Sequence, residues 1–154
     1  MINSDGFLTA MGLRTLIVRT VGKLIGNYTL PGSSTFVPAI AVLPDNKYGN
    51  NYPPPETTIS GIEIVIHQPK PNSVSRLGND RLREKKWEIF INQWDGNGDL
   101  IKIVNLLVDE FQDNSIKFTN PVFPESNMDV GIVPYCRIAL IERYVRTPNY
   151  DTGI

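Results

Sequence analysis

One histidine, one cysteine and one acid–glycine–acid run are the candidates for chemistry in this chain. Asp95-Gly96-Asn97-Gly98-Asp99 has the opening spacing of an EF-hand calcium loop. The match stops there: position six would be Leu100, where glycine makes the sharp turn, and position twelve Leu106, where a bidentate glutamate belongs. Glycine and asparagine tolerate positive φ and Asp side chains bond nearby amides, so the run reads as a strand-to-helix turn. His67 is the sole imidazole, and histidine metal sites need two or three, so no metal is expected. Cys136 sits inside an apolar run, the setting of a small buried hydrophobe rather than a thiolate nucleophile. Neither a G-x-S-x-G elbow, a P-loop nor a Rossmann glycine fingerprint is present. The expectation is no enzyme, no catalytic residue and no cofactor; a hydrolase with His67 as base would need a pocket converging on that ring.

What remains is charge. The chain is nearly balanced, with 15 basic and 16 acidic residues, so it is not a polycation built for nucleic acid. The distribution is uneven. Residues 70–86 hold Lys70, Arg76, Arg81, Arg83, Lys85 and Lys86 against Asp80 and Glu84, a net of +4 that leaves −5 elsewhere. Residues 95–129 hold seven acids, among them Asp109, Glu110 and Asp113, against Lys102 and Lys117, a net of −5. Three readings follow for the basic stretch. A head-to-tail contact between copies would set it on the acidic segment of a neighbour; a solvated loop would use it for nothing; a nucleic-acid module would use it on phosphates. The first ranks highest, then the second, then the third.

The elements that must position these residues follow from periodicity. The segment 85–94 is aromatic and β-branched with no proline, hence a strand. From Leu100 the period becomes helical, with Leu100, Ile103, Val104, Leu107, Val108 and Phe111 on one face and Asp99 as N-cap. Residues 7–25 read as a first helix, striped by Met11, Ile17, Val18, Val21, Leu24 and Ile25, capped by Ser4 or Asp5 and stopped at Gly26-Asn27. Residues 36–43 form a strand that Pro38 places at an edge or starts late. Residues 61–67 form a strand with Ile62, Ile64 and Ile66 inward, 116–118 a brief strand, and 135–145 the closing strand. Loops fill 45–58, 70–84 and 120–129, with a mobile tail from 146. The sum is one α+β domain over residues 1–154: a mostly antiparallel sheet of about four to five strands with two helices packed on one face. One cysteine rules out an internal disulfide and suits a reducing cytoplasm, and no apolar run approaches the roughly 20 residues that span a bilayer.

This order resembles the tail terminator (tail completion, neck) proteins of tailed bacteriophages. The likeness rests on the helix at 7–25, the proline-bearing strand at 36–43 and the strands 62–67 and 87–94 separated by a long loop. The helix 100–111 and the strand 135–145 complete it. It covers most of the chain and rests on architecture and size, without a diagnostic motif. It implies a virion structural protein: a homo-hexameric ring, assembled in the host cytoplasm, that caps the tail tube and ends its polymerisation. Its partners would be its own copies, the tail tube protein, the head–tail connector and DNA passing through the channel, with no membrane. The rival expectation is a small adaptor or nucleic-acid-binding module that uses the basic stretch on phosphate.

Overall fold

The computed structural model describes residues 8–32, 36–43, 53–69, 75–76, 82–96, 98–123 and 134–145. It is an α+β fold, two helices against a mostly antiparallel sheet, with a second, smaller sheet on the other side.

Helix α1 spans Ala10–Val21 and runs into a 3-10 turn at Gly22–Leu24. Its N-cap is Thr9, whose hydroxyl accepts the Gly12 N–H at 3.0 Å. The helix therefore starts later than its apolar pattern suggests, and the expected caps Ser4 and Asp5 lie outside the described residues. Leu13, Leu16, Ile17 and Val21 form the buried stripe, whereas Met11 is exposed. Helix α2 spans Leu100–Asp113 and is capped as its sequence predicts: Asp99 Oδ1 accepts the Lys102 N–H at 3.0 Å. Leu100, Ile103, Val104, Leu107 and Phe111 are buried along one face, with Val108 packed beside them. Ser115, at φ 57°, lets the chain leave α2 through paired bonds, Ser115 N–H to Gln112 O and Ile116 N–H to Phe111 O. That exit buries Ile116 beneath the helix end.

The chain from Asn27 to Leu43 holds three strands. β1 (Asn27–Thr29) lies between β2 (Phe36–Pro38) and β4 (Thr58–Ser60) in a small antiparallel sheet, while β3 (Ile40–Leu43) joins the main sheet. The single strand expected at 36–43 is thus split at Ala39, whose N–H bonds Gly26 O and whose O accepts from Ile64 N–H. Pro38, which cannot donate to a ladder, ends an edge strand. Gly26 lies against the junction of β4 and β5: a Cβ there would fall 1.8 Å from the Ser60 carbonyl oxygen and 2.9 Å from the Ile62 nitrogen. Glycine alone fits.

In the main sheet β3 lies parallel to β5 (Ile62–His67), and β5 is antiparallel to β7 (Leu82–Gln93). β7 pairs with β9 (Tyr135–Val145) from Leu82↔Val145 to Asn92↔Tyr135, and β8 (Lys117–Phe118) forms the far edge, extended by a bridge at Val122↔Arg137. β6 (Ser75–Arg76) pairs with Glu84 and Arg83 at the start of β7. Residues 82–84, expected as loop, are therefore strand. The remainder of 70–81 and the segments 124–133 and 146–154 lie outside the described residues. Because side chains alternate along strands, Ile62, Ile64, Ile66, Trp87, Ile89, Ile91, Cys136, Ile138 and Leu140 share one face and pack with both helices into one core. Each such side chain is worth roughly 1.5–3 kcal/mol when fully buried.

Candidate functional site

Alternation also decides where the basic residues go. Lys85 falls on the helix face beside Trp87 and directly opposite Glu142 on β9; Lys86 falls on the other face and is exposed. Two consecutive strand residues cannot share one patch, so the expected six-residue basic surface is not continuous. Arg76 and Arg83 are paired backbone to backbone, and Lys70 and Arg81 lie outside the described residues. On the acidic side, Asp109 and Asp113 are exposed on α2, but Glu110 is engaged within the molecule. Its Oε1 lies 3.6 Å from Arg19 of α1 and accepts from Asn114 Nδ2 at 3.2 Å. Asp109 and Asp113 are left as the outward pair.

The other face of β5, β7 and β9 carries a row of aromatics. His67 meets Phe90 edge-on with centroids 4.9 Å apart, and Phe90 leans on Tyr135 at 6.1 Å. Beside them Glu88 and Arg137 pair at 3.5 Å across the strands. His67 is thus held as a packing partner at the end of its strand.

Two buried carboxyls carry most of the polar structure, and neither was singled out by sequence. Glu63, fully buried on β5, accepts three hydrogen bonds: from Tyr28 Oη at 2.6 Å, Trp94 Nε1 at 2.9 Å and Asn92 Nδ2 at 3.1 Å. Tyr28 comes from the small sheet, so this acid ties the two sheets together, above the packing of Tyr28 on Ala39 and Ala41. Glu142, on the helix face of β9, accepts the backbone N–H of Leu8 at the entry to α1, while its Oε1 is buried without a hydrogen bond. Burial raises its carboxyl above the usual carboxylate range; the Leu8 amide, Lys85 and the Trp87 indole pull it back, in that order. The indole lies close enough to favour the ionised form, but its N–H makes no formed hydrogen bond. Sequence hides both acids: Glu63 fills an in-between position of the isoleucine alternation, where a polar residue reads as solvent-facing.

Cys136 is buried, and its thiol is pushed up to about 11 by burial against a smaller lowering by a backbone hydrogen bond with Val122. It is a protonated core residue at neutral pH. Among the described residues no group of three or more His, Cys, Asp or Glu is placed to hold a metal ion, and no helix is long and apolar enough to cross a membrane.

No family model matches the chain, and no curated protein or solved structure matches it either. Three of the described carboxylates join elements to one another: Glu63 joins sheet to sheet, Glu142 joins strand to helix entry, and Glu110 joins helix to helix. Outward the molecule presents apolar side chains at Phe36, Trp94, Ile101, Val122 and Phe123.

Proposed function

We propose that this chain is a virion structural protein of the tail terminator (tail completion) kind, a subunit of a ring that caps a phage tail tube and meets the head connector. The observation that carries the reading is architectural. Two helices cover one face of a mostly antiparallel sheet in the order helix, paired strands, helix, closing strand, and short strands β3 and β8 form its edges. An edge strand leaves backbone donors and acceptors for a neighbour to use, which suits subunits that join side by side. Lys86, exposed on β7, and Asp109 and Asp113, exposed on α2, put unlike charges on different parts of the surface, which suits contacts between unlike surfaces of successive copies. In this reading the protein binds no cofactor and performs no catalysis. It works in the virion, assembled in the host cytoplasm.

Negative-stain imaging of the purified protein, alone and with tail tubes, tests this reading. A six-fold ring is the expected result; a single copy at the end of an assembled tube contradicts it. Charge reversal at Arg81, Arg83 and Lys86 together is the accompanying variant, and should impair ring formation while leaving the thermal unfolding midpoint within a few degrees. Lys85 is kept, because it faces Glu142 inside the fold. Salt-sensitive binding of DNA by the monomer, without rings, would favour the nucleic-acid module instead.

A further inference from the structure

We infer that the face of the main sheet turned away from the helices binds single-stranded nucleic acid, with bases stacked on Phe90 and Tyr135 and phosphates held by Lys86, Lys117 and Arg137. The inference does not rest on ring assembly.

Strand register places these side chains together. Phe90 stands directly opposite Arg137, Lys86 opposite Ile141, and Ile141 opposite Lys117 on β8. Residues paired across strands point to the same side of a sheet. That side faces away from the helices, because the alternate positions Trp87, Ile89, Ile138 and Leu140 lie in the core beneath them. The small sheet covers the same side at β3, where Tyr28 packs on Ala39 and Ala41, and at the Glu63 end of β5. Among the described elements none is stacked on it over β7 and β9.

The aromatic row is ordered before anything binds. Phe90 is partly exposed and sits between His67, with centroids 4.9 Å apart, and Tyr135, at 6.1 Å. Rings already fixed in place give up little freedom on binding. Every base has a π face, so such a row accepts bases without reading their sequence. The cations flank the row. Lys86, Lys117 and Arg137 are all exposed, and from Phe90 to Lys86 along β7 is about 14 Å. The one acid between Lys86 and Asn92 on this side of β7 is Glu88, already 3.5 Å from Arg137. That pair is half-exposed and therefore weak, so a phosphate can take the guanidinium. The exposed acids Asp109 and Asp113 belong to α2, on the far side of the sheet. An acidic peptide would use the cations and leave the rings idle; a nucleic-acid strand uses both.

Fluorescence anisotropy of labelled oligothymidylate and oligouridylate with the full chain tests this over a range of salt. Binding should fall as salt rises and be at least tenfold tighter than that of a duplex of equal length, whose paired bases cannot reach the rings. Phe90→Leu keeps apolar bulk and should weaken binding about tenfold, with the thermal midpoint within a few degrees of wild type. Tyr135→Leu gives the same readout should Phe90→Leu fail to fold. Lys86→Ala with Lys117→Ala should lower the slope of log affinity against log salt by about 1.4. A preference for the ribose or the deoxyribose strand names the sugar and supports the site either way. No binding of either strand at low salt, polyglutamate bound as tightly as the strands, or both leucine variants binding like wild type overturns it. Rings that bind neither strand leave the ring reading standing and remove this site; strand binding by a chain that forms no ring on a tail tube does the reverse.

Discussion

Glu63 and Glu142 are both buried in the main sheet, on opposite faces and near opposite ends of β7, and they are handled differently. Glu63 stands opposite Asn92 at one end, and donors occupy both of its oxygens. Glu142 stands opposite Lys85 at the other, with one oxygen bound to Leu8 and one bare. The first holds a joint between two sheets and fixes an outward-facing tryptophan. The second pins the entry to α1 at an electrostatic cost that its neighbours only partly offset. A buried polar group stabilises a fold only when its partners are complete, and the difference between these two corners is a difference in completeness.

The largest expected effect follows from that contrast. Glu63→Ala strands the Tyr28 hydroxyl in the interior and releases Asn92 and Trp94, so it should cost about 3 kcal/mol, read as a lower urea midpoint. Glu63→Gln keeps one acceptor and should cost about 1 kcal/mol. A loss for Glu63→Ala no greater than for Glu142→Ala would erase the comparison. Asp99→Ala supplies a yardstick, since removing an ordinary helix cap costs about 1 kcal/mol; Glu63→Ala must exceed it.

Glu142→Gln sharpens the other side. With the folded carboxyl raised above its unfolded value, the folded chain holds the proton more tightly. Its contribution is present below the unfolded value and is lost as pH rises through the folded one. The stability of wild type relative to Glu142→Gln should therefore decline as pH rises above the ordinary glutamate value of about 4.3. A flat difference above that value would place Glu142 in an ordinary environment. Smallest of all, Arg19→Ala removes a half-exposed pair with Glu110 and should change stability by less than about 1 kcal/mol in the same titration.

Most of the frame is legible in the chain, because it rests on local periodicity. α2 with its Asp99 cap, β5 with Ile62, Ile64 and Ile66 inward, and β9 at Tyr135–Val145 all follow from patterns of 3.6 or 2. The small sheet does not. Asn27–Thr29 and Thr58–Ser60 are three-residue strands, too short for a period, and they exist because Tyr28 finds Glu63 across 35 residues of sequence. The first helix begins at Ala10 under a Thr9 cap, later than its apolar pattern from residue 7 suggests, and Leu8 ahead of it is tied to Glu142, a tertiary contact that no local pattern announces. The charged site is the least legible part. Runs of lysine and arginine read as a patch along the chain, but a strand sends Lys85 and Lys86 to opposite faces, and a helix neighbour takes Glu110 out of the acidic surface.

Electron-microscopic imaging of the protein at the end of assembled tail tubes tests the assembly claim most directly. A closed ring of six copies is the predicted result. One isolated copy per tube end, or no protein there at all, would contradict it.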